Sequence, residues 1–242
     1  ELMSLAIYVL AGVNLDSKRS SEAAMKYFIM GAFASGFLLL GMALLYGVTG
    51  ELETARIAAA LANPEPGMQQ LALLGAGFMI IGLAFKVGAV PFHQWVPDTY
   101  TGAPTPVTGL MAVAVKTAAF AAFIRFGYGM LPAGGDVAAA AARIGQLPVE
   151  VLAVIAAITM VLGNWLALTQ ESVKRTLAYS SVAHSGYLLM GLAVAHQSPD
   201  ALPAILFYLV TYVFGTGGAF AVLTYCSAER DQDDVRDLKG LG

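Results

Sequence analysis

The chain has 242 residues, 58% of them hydrophobic and 12% charged, with a net charge of −3. Soluble domains carry about 25% charged residues, so the composition points to a membrane protein, and no basic patch points to nucleic acid. Cys226 is the single cysteine, which excludes a disulfide framework, a CxxC metal site and an Fe–S ligand set on this chain.

A bilayer crossing needs about 20 helical residues. Seven apolar segments meet or approach that length, at about 1–14, 24–48, 70–96, 106–129, 149–169, 177–196 and 201–227. The expected fold is an all-α polytopic transmembrane bundle forming one domain over 1–242. The first segment is too short to span, since 14 residues rise only about 21 Å at about 1.5 Å each. It reads as the inner half of a helix, with Glu1 near mid-membrane and both chain ends continuing into something longer. Loops 15–26 and 170–176 and the tail hold eight basic residues: Lys18, Arg19, Lys26, Lys174, Arg175, Arg230, Arg236 and Lys239. The alternate loops hold only Arg56 and Arg143. This bias places the tail and the 97–105 connection on the cytoplasmic side.

The third segment is interrupted. Pro91 and Pro97 bracket PFHQWVP, and proline removes a backbone hydrogen bond and clashes with the preceding turn. Lys86 stands five residues before Pro91, with Gly88 between them. An ionised side chain at the bilayer centre costs about 2.5–3.5 kcal/mol on insertion scales, and a broken helix beside such a residue is a construction found in transporter sites. A simple kink would account for the prolines but not for the lysine. Lys116, mid-way along the next segment, is too central to snorkel to an interface and is either an ion-path residue or paired with a carbonyl. Arg125, near its helix end, reads as a snorkelling residue.

His93 lies in the break, as either a proton relay or a hydrogen-bonded loop residue. His184, within YSSVAHSGY, has Ser180, Ser181 and Ser185 nearby, so it reads either as a relay on a wet helix face or as a satisfied interhelical hydrogen bond. His196 reads as a helix-end residue without a role. GTGG at 215–218 reads as close helix packing. Asp98 and the cluster Asp231, Asp233 and Asp234 read as solvated interfacial groups, and Trp95 and Trp165 as interface anchors. No Ser–His–acid triad or metal spacing is visible.

The run FKVGAVPFHQWVPDTYTGAPTPVTGLMAVAVKTAAFAAFIRF (85–126), with ESVKRTLAYSSVAHSGYLLMGL (171–192) and the opening ELMSLAIYVL, resembles the antiporter-like proton-pumping subunits of respiratory complex I. These are similar in turn to membrane subunits of Mrp-type sodium/proton antiporters and membrane-bound hydrogenases. The resemblance covers essentially the whole chain and implies helices five to eleven of a fourteen-helix fold with two inverted five-helix repeats. Glu1 matches the family's glutamate of helix five, Lys86 the lysine of broken helix seven, Lys116 the lysine of helix eight and His184 a polar position of helix ten. The family's second broken helix, twelve, has no counterpart in this segment, which would hold the input half of a channel.

The resemblance implies a translocase subunit in a bacterial inner membrane, moving protons through Glu1, Lys86, Lys116 and His184, with Pro91 and His93 at the break. It implies partnership with other membrane subunits of the complex and with the lipid bilayer. Any FMN, Fe–S clusters and quinone would sit on partner subunits, with no cofactor on this chain. A standalone antiporter subunit and an inert membrane scaffold are the other readings.

Overall fold

The computed structural model describes residues 2–62, 67–129, 147–195, 198 and 200–226. Every regular element among them is helical: α1 Leu2–Ala11, α2 Lys18–Thr49, α3 Thr54–Ala62, α4 Met68–Val87, α5 Trp95–Gly102, α6 Thr105–Leu110, a π-helical turn Met111–Val115, α7 Lys116–Gly129, α8 Leu147–Leu168, α9 Val173–Val194 and α10 Ala201–Cys226. Six stretches are long and apolar enough to cross a membrane: α2, α4, α6 through α7, α8, α9 and α10. Hydrocarbon offers backbone groups no water to bond, so only elements that satisfy their own N–H and C=O groups can span it. The chain is thus a polytopic helical membrane protein with one helix interrupted near Pro91, as its composition and prolines anticipate. Glu1, Arg143, His196 and the tail from 227, with Arg230, Asp231, Asp233, Asp234, Arg236 and Lys239, lie outside the described residues.

Two helix boundaries differ from the hydropathy segments for local reasons. Helix α2 starts at Lys18, six residues before the apolar run, because Ser17 caps it by accepting a hydrogen bond from Ser20 N at 3.3 Å. Its charged first turns therefore project beyond the apolar stretch. Helix α4 stops at Val87 instead of continuing to 96, because Gly88 takes the left-handed conformation (φ 72°) that terminates helices.

Lipid tails are as apolar as leucine, so helices in a bilayer associate through close packing of small residues. Two seams show this. A Cβ on Gly163 of α8 would lie 2.6 Å from Ala183 N of α9, and one on Gly186 would lie 2.8 Å from Met160 N. Between α2 and α4, Cβ atoms on Gly41 and Gly82 would approach Gly75 O at 2.7 Å and Leu38 Cβ at 2.7 Å. Among the described residues GTGG meets no closely packed helix. Cβ atoms on Gly215 and Gly218 would meet nothing within 4 Å, and one on Gly217 would make only an ordinary contact with Val113. These glycines face outward among the described residues. Large apolar side chains, among them Phe33, Trp165, Phe207 and Phe214, also point outward, as a lipid- or subunit-facing surface requires.

Gly163→Val should force α8 and α9 apart. Its new atoms meet backbone, which cannot rotate aside, so the cost should fall at the upper end of the roughly 1–3 kcal/mol typical of overpacking. A lowered thermal midpoint of the subunit in detergent checks this, with exposed Gly215→Val as the neutral control.

Candidate functional site

At the interruption after α4, most of the freed backbone groups have a partner within the protein. Ala89 N donates to Ala84 O at 2.8 Å and Gly88 N to Phe85 O at 3.0 Å, the paired bonds of a Schellman ending. Phe85 O also accepts from Trp95 Nε1 at 3.1 Å. Val87 O accepts from Ser185 Oγ of α9 at 2.6 Å. Val90 N, just ahead of Pro91, donates to Thr159 Oγ1 of α8 at 3.0 Å. Three separate elements thus supply side chains to the backbone groups that the break frees. Trp95 is buried and stacks on Tyr27 of α2 with ring centroids 4.5 Å apart. The expectation of an interface anchor is corrected: its indole N–H is spent inside the protein, on the broken helix.

Lys86 occupies the last turn of α4, where a cation complements the helix dipole. It is half-buried, and its Nζ donates to Ser4 Oγ of α1 at 2.7 Å. Lys116 is only 3% exposed. Its Nζ donates to both the carbonyl and the hydroxyl oxygen of Ser181 on α9 and lies 5.5 Å from the Tyr212 ring centroid, within cation–π range. The π turn at Met111–Val115 immediately precedes Lys116. A π turn adds a residue to a helical turn, rotating every later side chain about the axis by about 100° relative to an unbroken α-helix. Ser185 Oγ reaches Ser181 O at 3.1 Å as well as Val87 O, so two serines one turn apart connect Lys116 to the end of the broken helix.

His184 is half-buried between α9 and α10. Its Nδ1 is hydrogen-bonded to Tyr208 Oη, and its ring packs against Tyr187 and Tyr212 with centroids 5.7 and 5.2 Å away. Tyr212 therefore stands between His184 and Lys116. His93 is half-buried in the break, its Nδ1 without a hydrogen bond of good geometry, and Pro91 is exposed at the end of a cis Val90–Pro91 bond. Glu1 is outside the described residues. Among the described residues no group of three or more His, Cys, Asp or Glu side chains could hold a metal ion.

Asp98, read as a solvated interfacial group, is 36% exposed and also paired: it accepts from Lys26 Nζ of α2 at 2.8 Å and from Arg175 Nη1 of α9 at 3.2 Å, and Lys26 also pairs with Glu22 at 2.7 Å. This network joins three helices around an open polar cavity of about 380 Å³. Thr159, Ser181 and Ser185 carry no sequence signal that sets them apart from other small polar residues in apolar helices. Only Ser181 and Ser185, flanking His184, fall in a stretch whose polarity draws notice.

The described chain is a helical membrane bundle in which a half-buried and a buried lysine stand around one broken helix. The family model described as NADH:quinone oxidoreductase/Mrp antiporter, TM, matches residues 1–242, and the chain belongs to that family. It is 48% identical over 250 residues to NADH-quinone oxidoreductase subunit N 1 of Sorangium cellulosum (strain So ce56), covering all of this chain and 48% of that protein. It is 49% identical over 245 residues to NADH-quinone oxidoreductase subunit N of Gemmatimonas aurantiaca, covering all of this chain and 44% of that protein. The chain thus spans about half the length of these curated relatives.

Among solved structures it is similar to a chain of respiratory complex I from Thermus thermophilus with bound aureothin, at TM-score 0.71 and 42% identity over 91% of this chain and 44% of that one. A chain of an archaeal membrane-bound sulfane sulfur reductase superposes at TM-score 0.83 with 27% identity, over 99% of this chain and 46% of that one. A chain of the Mrp complex from Dietzia sp. DQ12-45-1b does so at 0.73 with 25% identity, over 86% and 36%.

Thr159→Val keeps the side chain's shape but leaves the buried Val90 N–H unpaired. It should destabilise the subunit by roughly 1–3 kcal/mol, read as a shift in thermal unfolding in detergent, whereas Thr159→Ser should retain most of the stability.

Proposed function

We propose that this chain is part of a proton-translocating membrane subunit of an NADH–quinone oxidoreductase. In this reading Lys86, Lys116 and His184, with Glu1, hand protons along the bundle while quinone is reduced elsewhere in the complex. The carrying observation is the placement of two lysines around one interrupted helix: Lys86 at its end against Ser4 of α1, and Lys116 fully inside, held on Ser181. Intramembrane lysines are costly, and their default explanation is an ion or proton path. Glu1 lies three residues before Ser4 in the sequence, and the proposal gives its carboxylate the task of favouring a proton on Lys86 when near and releasing it when drawn away.

The chain performs no redox chemistry of its own in this reading. FMN, Fe–S clusters and quinone belong to partner subunits, and neighbouring membrane subunits supply the charge movement that triggers transfer. The protein lies in a bacterial inner membrane, with Lys18, Arg19, Lys26, Lys174, Arg175 and the tail on the cytoplasmic side, as the distribution of basic residues supports. His93 and Pro91 shape the break. Sodium/proton exchange by an Mrp-type assembly, or a membrane-bound hydrogenase subunit, is the second reading, supported by the Mrp superposition. The higher identity to subunit N sequences weighs for the first.

In inverted vesicles holding the assembled complex, Lys86→Ala in the full-length subunit should reduce NADH-driven acidification to background. Lys86→Arg should also impair it, because a guanidinium is effectively never deprotonated. Normal acidification in Lys86→Ala would refute the proton reading, and sodium-dependent proton exchange in the same vesicles would then favour the antiporter.

A further inference from the structure

The oxygens between Lys116 and the broken helix do not have enough donors and lone pairs to satisfy every contact at once. A carbonyl has two lone pairs and a serine hydroxyl has one proton. Ser181 O, inside α9, receives the regular helical bond from the amide four residues on, which leaves one lone pair. Two donors converge on it: Lys116 Nζ and, at 3.1 Å, Ser185 Oγ. Ser185 Oγ, with its single proton, also faces two acceptors, Ser181 O and Val87 O, the latter at 2.6 Å.

We infer that Ser185 is a positioning residue that links the engagement of Lys116 to closure of the helix break: with Lys116 seated on Ser181, the Ser185 hydroxyl is directed to Val87 O, and when Lys116 leaves, it turns back to Ser181 O and releases the broken helix. Both serines are essentially fully buried, so water does not readily replace either bond, and Val87 is likewise buried. The two states differ by rotation about one Ser185 side-chain bond and need no backbone movement to begin. The released group is the carbonyl next to Lys86, so a change at Lys116 is felt beside the other lysine. Thr159 holds the far side of the break through Val90 N, which confines the released motion to the Val87 end.

As a device in proton transfer, the linkage rests on the transport reading. As a physical coupling between Lys116 and the break, it is testable apart from it. Amide hydrogen exchange in peptides covering 86–96 should be measured on the assembled complex carrying full-length subunits. Ser185→Ala should speed exchange of the 88–90 amides about five-fold, the equivalent of losing one typical hydrogen bond. Lys116→Met, which touches no atom of the break, should speed it to a similar degree, and Ser185→Ala with Lys116→Met should be no faster than the faster single variant, as residues acting through one link do. Ser185→Cys, which keeps a weak donor, should fall between wild type and alanine. Unchanged exchange in Lys116→Met, or effects that multiply in the double variant, would overturn the linkage. A general loosening of the fold is separated by exchange in α2, which should stay at the wild-type rate. The result stands whether or not Lys86→Ala stops acidification, so failure of the linkage and failure of the transport reading are distinguishable.

Discussion

A helix that stops inside an apolar bundle exposes carbonyls and amides that have no water to turn to, and the arrangement of this protein follows from meeting that demand. The Gly88 ending satisfies two carbonyls from within the chain's own turn. Trp95 adds a second donor to one of them, Phe85 O, and Val90 N and Val87 O hold Thr159 and Ser185, so three elements are drawn to the break. Each of those side chains brings its element with it. Trp95 brings α5 back against α2, Thr159 ties α8 to the break, and Ser185 brings the polar face of α9 toward Lys116. The glycine contacts between α8 and α9 allow Thr159 and Ser185 to approach the same short segment from adjacent helices.

The lysines answer a second form of the same demand. A buried ammonium has three N–H donors and a charge, and it persists only with acceptors around it. Lys116 finds the two oxygens of Ser181 and the face of Tyr212, all neutral. A neutral site holds a cation less firmly than a carboxylate would, which suits the proton transfer proposed for this residue. Asp98, a full carboxylate, is placed instead at the helix ends with Lys26 and Arg175, 36% exposed. There two permanent cations and one anion brace three helices in a setting where solvent screening keeps such pairs modest in energy.

Much of this was legible in the sequence where chemistry is unusual for its surroundings. An all-helical membrane fold follows from 58% hydrophobic content and long apolar runs. Lys86, Lys116 and Pro91 stand out because charge and proline are expensive in an apolar helix. The supporting residues were not legible, because their significance lies in partners distant along the chain. Ser185 meets a carbonyl 98 residues away, and Lys116 meets Ser181 across 65. Asp98 is an ordinary interfacial aspartate until helices 72 and 77 residues distant deliver its two cations. Trp95 follows the pattern of an interfacial tryptophan, and only the reversal of the chain at Gly88 turns it inward. GTGG has the composition of a packing motif, but whether glycines meet a neighbouring helix depends on the face they occupy.

The two lysines also differ in their surroundings. Lys86 is half-buried and reaches Ser4 of α1, while Lys116 is buried and held by Ser181 of α9 beside the Tyr212 ring of α10. In the proposed proton path, accessibility favours exchange and enclosure favours retention, so the two amines suit different steps. On that proposal a path from Lys86 to Lys116 runs from the more accessible amine to the enclosed one, and His184, half-buried, packs against the same Tyr212 ring that faces Lys116. Exposure and contact suit the proposed order Lys86, Lys116, His184, and Ser181 with Ser185 ties Lys116 to the helix break beside Lys86.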